Sequence, residues 1–298
     1  MTMRHESFAA FILTHGRPDN VKTYDTIRHH GYTGRIVLII DTEDPHADGY
    51  RERFGPDNVV QFDKAKIAEE FDTADTQADR RTIVYARNYC FKLAREMGLT
   101  YFVELDDDYV DFQYRFIRDE DIHGVYVRRR GRGPGLDAVF DAMLDFLDDT
   151  GAVSVAMSQG GDHMGGYRGA IHKGVKRKAM NSMFHRTDRP IAYLGRINED
   201  VNTYVLQGSR GDLFLTFMGL QLDQTATQQS KGGMSDVYLL SGTYVKSFYT
   251  VMMAPSCVKV GLMGRTAQTQ RFHHKISWDL AVPKILSAEY RKPRTAAG

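Results

Sequence analysis

Apolar and polar positions follow two different periods along the first part of the chain. Continuous apolar runs at residues 8–13 and 35–41 are typical of buried parallel strands, and a shorter run covers residues 58–62. Residues 19–30 have a helical pattern that closes at Gly31. This alternation of strand and helix predicts a parallel sheet covered by helices.

The clearest helical pattern lies between residues 79 and 98. Its apolar stripe comprises Ile83, Ala86, Cys90, Leu93, Ala94 and Met97. The opposite, polar face carries Arg81, Tyr85 and Asn88. A strand at 101–105 follows and delivers three consecutive aspartates at its C-terminal end, where open α/β sheets bind their ligands.

The second half of the chain predicts a helix at 136–147 and strands at 152–157, 179–185 and 213–218. Residues 158–169 form a glycine-rich loop, which is either a lid over a ligand or a plain connection. Residues 244–253 predict a helix with a buried apolar stripe that includes Met252 and Met253. We expect Trp278 to be a core anchor.

Composition restricts the class of protein. The 298 residues are 42% hydrophobic and 26% charged, which is ordinary for a soluble globular protein. No apolar run approaches the roughly 20 residues needed to span a bilayer. Two cysteines are too few for a disulfide scaffold or a cysteine-ligated metal. We therefore expect a cytoplasmic protein without a membrane partner.

The net charge of +1 conceals strong segregation. Residues 128–132 read RRRGR and residues 173–178 read KGVKRK, whereas residues 104–111 read ELDDDYVD. One dense acidic cluster beside basic patches indicates a metal site and an anionic partner. Solvated faces that balance for solubility are the alternative.

The aspartate cluster is the strongest chemical signal. In an extended segment Asp106 and Asp108 share a face, while Asp107 points away. Carboxylate oxygens suit Mg²⁺ or Mn²⁺, with phosphate oxygens completing the coordination. An acidic turn that caps the next element is the alternative. Nucleotidyl transferases, polymerase palms and sugar-nucleotide enzymes all place such pairs at strand ends.

The whole pattern resembles the GT-A glycosyltransferases, and more narrowly the phage glycosyltransferases found beside TET-type dioxygenases. The residues that carry the resemblance are FILTHGRPDNVKTYDT (11–26), RIVLIIDTED (35–44), FDKAKIAEEFDT (62–73), DRRTIVYARN (79–88) and YFVELDDDY (101–109). The later segments INED and HHKISWD extend it more thinly. The resemblance implies transfer of a sugar to 5-hydroxymethylcytosine in DNA, in the host cytoplasm if the chain is phage-encoded.

The resemblance also implies a fold and a division of labour. We expect one α/β, GT-A-like domain over residues 1–298, with a mixed, mainly parallel sheet and helices on both faces. Residues 1–110 would bind the nucleotide sugar, and residues 111–298 would hold the acceptor and complete the catalytic site. The donor would be a UDP sugar, bound through Mn²⁺ or Mg²⁺.

Several residues receive donor-side roles from this resemblance. The turn that contains Thr14 and Arg17 would contact uracil or phosphate, and Asp41 a ribose hydroxyl or base N–H. Asp106 would serve both donor and metal. The stretch that carries Arg81, Arg87 and Asn88 would face the donor sugar or diphosphate. The alternatives are a surface arginine at 17, a turn or cap at 41, and a solvated helix face paired with nearby acids.

A second carboxylate pair, Glu199 and Asp200, starts a predicted helix. In inverting enzymes of the resembled family, such a pair lies beside the acceptor, so we expect Asp200 to be the base and Glu199 to contact the acceptor. A retaining mechanism, or an acidic first helical turn, is the alternative. We expect His274 rather than His273 to join Asp106 and Asp108 at the metal, and Lys275 to meet phosphate.

Two basic clusters border loops that we expect near the active site, and we assign them to DNA phosphates. They comprise Arg128, Arg129, Arg130 and Arg132, and Lys173, Lys176, Arg177 and Lys178. A saccharide or protein acceptor would not need them. A non-catalytic nucleic-acid-binding protein is the other alternative, and it leaves the aspartates unexplained.

Overall fold

The computed structural model describes residues 4, 6–71, 73, 80–117, 126–129, 135–163, 176–224, 234–264 and 270–282. The strands are β1 (Phe8–Leu13), β2 (Arg35–Asp41), β3 (Val59–Phe62), β4 (Tyr101–Asp106), β5 (Tyr109–Ile117), β6 (Tyr126–Arg129), β7 (Ser154–Gln159), β8 (Met183–Arg186), β9 (Phe214–Gln224), β10 (Val258–Met263) and β11 (Arg271–Ile276). The helices are α1 (Lys22–His29), α2 (Ala47–Phe54), α3 (Lys64–Ala68), α4 (Val84–Glu96), α5 (Leu136–Thr150), α6 (Glu199–Arg210), α7 (Met234–Met253) and α8 (Trp278–Ala281).

Strands from both halves of the chain share a nine-stranded sheet in the order β3-β2-β1-β4-β8-β7-β9-β5-β6. The four strands from the first half are joined by parallel pairings. The second half contributes antiparallel pairings of β8, β5 and β6, together with one parallel pairing of β7 to β9. The predicted mixed α/β sheet of the GT-A-like class is confirmed.

Helices cover both faces of the sheet because β1 is apolar at every position. Phe8, Ala10 and Ile12 belong to a core with residues of α1, α2 and α5. Ala9, Phe11 and Leu13 belong to a second core with residues of α4 and α6. Successive side chains of a strand point to opposite faces, so a fully apolar strand needs a helix layer on each side.

The register brings the ends of three parallel strands together. Leu13, the last residue of β1, lies opposite Ile39 of β2 and Asp106 of β4. The turns after these strands therefore share one edge of the sheet, as the rule for open α/β sheets predicts.

The predicted buried stripe over residues 244–253 is wrong for most of its members. The expected buried stripe is exposed, with Tyr244 at 52% and Met252 at 50% exposure, although Tyr249 is buried. The covering layer is instead a separate two-stranded sheet of β10 and β11, which packs beside α7 and leaves part of it open. No helix in the described ranges is long and apolar enough to cross a membrane.

The predictions that Trp278 and Cys90 are core residues have opposite outcomes. Cys90 is fully buried, so its prediction as a small core residue is confirmed. Trp278 is 39% exposed, and its ring stacks on Tyr204 at a centroid distance of 5.9 Å. The prediction of a core anchor at Trp278 is therefore wrong.

Candidate active site

The three aspartates of the turn after β4 differ in burial. Asp107 is 1% exposed, and its Oδ2 accepts hydrogen bonds from the Thr14 hydroxyl at 2.6 Å and from Arg17 Nε at 2.7 Å. Asp106 and Asp108 are each only partly buried. Thr14 and Arg17 therefore hold the turn after β4 through Asp107, while Asp106 and Asp108 keep part of their surface open.

Thr23 fixes the same turn from α1. Its hydroxyl donates to the backbone oxygen of Asp106 at 2.5 Å and accepts from the backbone N–H of Tyr109 at 3.0 Å. Thr23 is fully buried, and its own backbone N–H donates to the oxygen of Asp107 at 3.1 Å. Thr23 thus satisfies backbone polar groups of Asp106, Asp107 and Tyr109 and ties this tight turn to α1.

Arg87 is the centre of a buried charge network. The guanidinium is 3% exposed and donates from Nη2 to Asp106 at 3.0 Å and from Nε to Glu199 at 2.9 Å. Its Nη1 lies 3.4 Å from Glu104, a fully buried carboxyl in the middle of β4. One side chain thus connects the aspartate turn with the first turn of α6.

Two carboxyls of this region, those of Glu104 and Asp108, hold their protons unusually tightly. Burial and the partial offset by Arg87 leave the pKa of Glu104 raised to about 8. Burial, reinforced by Asp106 and Asp107, raises the pKa of Asp108 to about 7. Close carboxylates that share a desolvated site disfavour one another's charged forms, and a cation would relieve that repulsion.

Asn198 introduces α6 in a left-handed conformation. Its φ of 55° is uncommon for a residue other than glycine. The side-chain amide secures this geometry, because it donates to the backbone oxygen of Lys246 at 2.6 Å and to the Thr250 hydroxyl at 3.1 Å. Such backbone strain is found where a site must be held in place.

The carboxyls of Glu199 and Asp200 follow in the first helical turn. Glu199 is buried and held by Arg87, whereas Asp200 accepts the backbone N–H of Val201 at 2.7 Å. Burial, and then the neighbouring Glu199, raise the pKa of Asp200. The structure therefore brings Asp106, Arg87, Glu199 and Asp200 into one region, as the donor and catalytic predictions require.

Asp41 lies in a separate cluster at the end of β2. Its Oδ2 is 3.0 Å from His15 Nδ1 and 3.2 Å from Lys64 Nζ. Burial alone would raise the pKa of Asp41, but the hydrogen bond from His15 and the charge of Lys64 hold it below its ordinary value. The carboxylate thus stays ionised beside the turn after β1, where a base or ribose was predicted.

Asn88 is placed differently from its prediction. It is 5% exposed, and both amide atoms serve Tyr193: Nδ2 donates to the backbone oxygen at 3.0 Å and Oδ1 accepts the backbone N–H at 2.8 Å. Tyr85 is also buried. The face of α4 that was predicted to be polar and open is covered, because the chain before α6 packs on it. Arg81 lies exposed just before α4.

The predicted third metal ligand does not join the aspartates. Within the described ranges, no group of three or more His, Cys, Asp or Glu side chains is placed to hold a metal ion. Burial, with His273 and Lys246 nearby, lowers the pKa of His274 to about 3. Its imidazole is neutral, but it lies on β11, and Lys275 beside it is exposed.

Part of the predicted DNA-binding set lies outside the described residues, namely Arg130, Arg132 and Lys173. Arg128 and Arg129 are in β6, at one edge of the sheet. The structure describes the remaining three: Lys176, Arg177 and Lys178.

Lys176 and Lys178 form an internal cluster. Their Nζ atoms lie 2.8 Å and 2.5 Å from Oδ1 of the buried Asp162. The charges of Lys176 and Lys178 are thus used within the fold, and Arg177 between them is the exposed cation. The sequence does not reveal this ion-pair cluster, because Asp162 lies in the predicted glycine-rich loop and nothing local pairs it with the two lysines.

Two participants went unrecognised in the sequence. Glu104 was read as part of an acidic run, yet a carboxyl inside an otherwise apolar strand is itself a signal of a buried cationic partner. Lys246 of α7 lies near enough to Glu199 and Asp200 to interact with both, and burial lowers its pKa. No short-range pattern links α7 to α6, so only the folded chain reveals it.

Several solved structures are similar to the chain at low sequence identity. A structure of S. aureus TarS 1–349 covers 72% of this chain at 11% identity with a TM-score of 0.41. A structure of glucosyl-3-phosphoglycerate synthase from Mycobacterium tuberculosis, in complex with Mg²⁺ and UDP, matches at 8% identity with a TM-score of 0.45. The match covers 91% of this chain and 87% of the synthase chain. The chain spans 60% of the first TarS structure and 36% of a longer one.

No curated protein matches the chain. The family model of the TET-associated glycosyltransferases matches it from residue 8 to residue 233, which is well over half of its length. The match contains the aspartate turn, Arg87 and the Glu199–Asp200 pair. The chain therefore belongs to the TET-associated glycosyltransferase family.

Proposed function

We propose that this glycosyltransferase moves a sugar from a UDP sugar to the hydroxymethyl oxygen of 5-hydroxymethylcytosine in DNA. The observation that carries the proposal is the Arg87 bridge, which joins Asp106 at 3.0 Å to Glu199 at 2.9 Å. It holds the acidic turn at a strand end next to the carboxyl pair on α6. A transfer enzyme needs both, one for the leaving nucleotide and the other for the attacking hydroxyl.

Asp106 and Asp108 would hold Mg²⁺ or Mn²⁺ on the donor side. The donor set fits a hard cation, since two carboxylates suffice when phosphate oxygens and water supply the remaining ligands. The raised pKa of Asp108, caused by burial and by Asp106 and Asp107, supports a cation there, because the cation favours the ionised form. The cation would neutralise charge on the diphosphate as it leaves.

Asp200 would act as the general base. It would take the proton of the hydroxymethyl group as the oxygen bonds to the anomeric carbon and the bond to the nucleotide diphosphate breaks. Burial and Glu199 raise its pKa, which brings the basicity of the carboxylate closer to the operating pH. Glu199 is fixed by Arg87 and would contact the acceptor. This arrangement supports an inverting outcome.

The nucleotide end of the donor would lie over the turn after β1. The ionised Asp41 carboxylate is suited to a ribose hydroxyl or a base N–H. Arg17 is engaged with Asp107 and is 28% exposed in its side chain, so a phosphate could still meet its outer face. These roles follow the ends of β1, which adjoins β4 in the sheet, and of β2, which adjoins β1.

Mass spectrometry of hydroxymethylated DNA tests the function directly. The protein is incubated with the DNA, Mn²⁺ or Mg²⁺ and a panel of nucleotide sugars, and a mass increment on the modified base names donor and acceptor. Asp108→Asn should abolish the increment, whereas Asp19→Asn, on an exposed side chain, should retain it. Transfer only to free saccharides or to protein would refute the DNA acceptor, and full activity of Asp108→Asn in EDTA would refute the metal assignment.

A further inference from the structure

An open cleft lies between the C-terminal end of α6 and α8. We define the α6–α8 cleft by six of its lining residues: Arg177, Tyr204, Gly208, Gly211, Asp212 and Trp278. The space between its walls, counted together with its open mouth, is about 360 Å³. Ligand sites begin at roughly 300 Å³, so the cleft has room for a small planar group.

Trp278 is the aromatic wall of the cleft. It is 39% exposed, and its ring stacks on Tyr204 with centroids 5.9 Å apart and an interplanar angle of 16°. Tyr204 is only 4% exposed, and the backbone N–H of Ser277 donates to the oxygen of Cys257 at 2.8 Å. The indole is therefore held in place before any ligand arrives, which lowers the entropic cost of stacking on it.

Gly208 keeps the cleft open. It lies inside α6, where glycine costs roughly 0.5–1 kcal/mol relative to alanine. Its φ is not positive, and a Cβ built there meets no atom within 4 Å. Neither the backbone nor crowding thus requires glycine at this position. What glycine leaves is empty space in the wall of the cleft.

The charges of the cleft have both signs. Arg177 is exposed, whereas Lys176 and Lys178 on either side of it are paired with Asp162. Asp212 and the negative end of the α6 dipole lie in the same cleft. A simple anion would be repelled by them. A nucleotide suits both signs, because its phosphate meets the cation and the amino groups of its base donate to carboxylate or carbonyl oxygens.

One side of α6 leads from the general base to the cleft. Asp200, Tyr204 and Gly208 follow one another at intervals of four residues and therefore share a face of the helix. Burial, and then the negative charge of Asp200, raise the pKa of the Tyr204 hydroxyl, which reflects their proximity. Gly208 lies about 12 Å along the helix axis from Asp200. A stacked strand covers that distance in about three to four nucleotides.

We propose that the α6–α8 cleft binds an unpaired base of the acceptor strand, with the base on Trp278 and its phosphate on Arg177. This proposal rests on the DNA acceptor of the proposed function. The target cytosine must leave the duplex stack to reach Asp200, and a second contact on the same strand holds the opened strand in place. Stacking on an aromatic ring accepts any base, so the cleft adds affinity without fixing the sequence.

Intrinsic fluorescence tests the stack directly, because Trp278 is the only tryptophan of the chain. An unlabelled single strand should quench this emission with the same Kd that fluorescence anisotropy gives for a labelled strand. Trp278→Ala should weaken single-strand binding about 5- to 140-fold, the range for loss of one base–ring stack. Phe217→Ala, at 41% exposure on β9, is the matched control and should stay within twofold of the wild type.

Filling the cleft separates binding from folding. Gly208→Leu introduces a good helix former whose side chain enters the cleft, so it should match the loss of Trp278→Ala without removing any packing contact. Arg177→Gln should reduce the log–log salt slope for the single strand by about 0.7, the value for one phosphate contact. Arg95→Gln, on an exposed side chain of α4 outside the cleft, should leave the slope unchanged.

Three results would overturn the proposal. One is a saturating single strand that leaves the emission of Trp278 unchanged. Another is wild-type affinity of Gly208→Leu. The third is displacement of the labelled strand by deoxycytidine monophosphate at the same concentration as by the unlabelled strand, since the cleft would then hold a free nucleotide.

Failure of this proposal is distinguishable from failure of the proposed function. If the wild type glycosylates hydroxymethylated DNA and Trp278→Ala does so at the same KM, the function holds and the cleft assignment is wrong. If a single strand quenches Trp278 but no base is modified, the cleft binds the strand and the acceptor assignment is wrong.

Discussion

Arg87 offers the sharpest test of the charge network. Arg87→Met removes the guanidinium but keeps much of the side-chain volume, so the packing of α4 is preserved while three carboxyls lose their common partner. Arg87 is 3% exposed, and its partners lie at 2.9 Å, 3.0 Å and 3.4 Å. Breaking a buried ion pair by removing one partner costs about 3–5 kcal/mol, so we expect a loss of that size in the free energy of unfolding.

The loss should depend on pH with a definite sign. Without Arg87, nothing offsets the effect of burial on Glu104, so the folded pKa of this carboxyl rises further above that of the unfolded chain. The folded state then binds more protons, so its stability falls as pH rises towards that folded pKa. The pKa of Glu104 is already raised to about 8 with Arg87 present. The deficit of Arg87→Met should therefore be larger at pH 8.5 than at pH 6.

Urea unfolding at both pH values, followed by circular dichroism, measures this deficit. Arg80→Met is the matched control, because Arg80 has one exposed ion pair, to Glu43 at 2.6 Å, which solvent screens. Its stability should stay close to wild type at both pH values. If Arg87→Met unfolds within about 1 kcal/mol of the wild type at pH 8.5, the network is not the buried ionic centre described here.

Three further predictions concern the base, a tight turn and a core histidine. Asp200→Asn should lower turnover about 10²- to 10⁴-fold with near-wild-type nucleotide-sugar affinity by calorimetry, whereas lost affinity at unchanged turnover would make it a donor ligand. In thermal unfolding, Gly195→Ala should destabilise the protein by about 1–3 kcal/mol more than Gly98→Ala. Both glycines have positive φ, but only at Gly195 would the new Cβ meet a buried amide, Asn202 Nδ2 at 2.5 Å. Burial lowers the pKa of His185 to about 3, so on acidification the unfolded chain takes up a proton that the folded chain excludes. The free energy of unfolding should therefore fall by about 2 kcal/mol between pH 7 and pH 5. His185→Gln should remove this component in urea titrations.

Local pattern was enough for the strands of the first half. The runs at 8–13 and 35–41 are β1 and β2 with the predicted bounds, because the interior of a strand covered on both faces is mainly apolar. The position of the aspartates also followed from the sequence. The C-terminal ends of neighbouring parallel strands lie at the same end of the sheet, so the residues that follow these strands meet there.

Tertiary structure decided which polar side chains are partners and which apolar ones are covered. Asn88 and Tyr85 look solvent-facing from helical spacing, yet the chain before α6 covers them, a contact that spans more than a hundred residues. Tyr244 and Met252 look like core, yet they are 52% and 50% exposed, because the β10–β11 sheet covers α7 only in part. Periodicity gives the face of a helix but not the neighbour that it meets.

The charged side chains also divide into what the sequence determines and what the fold decides. The sequence by itself determined that Asp106, Asp108, Glu199 and Asp200 are candidates for metal and proton chemistry, because carboxylates have that chemistry anywhere. Only the fold decided that Arg87 joins Asp106 to Glu199 and that Lys176 is neutralised by Asp162. Electrostatic energy depends on distance and burial, and both are set by residues far apart in the chain.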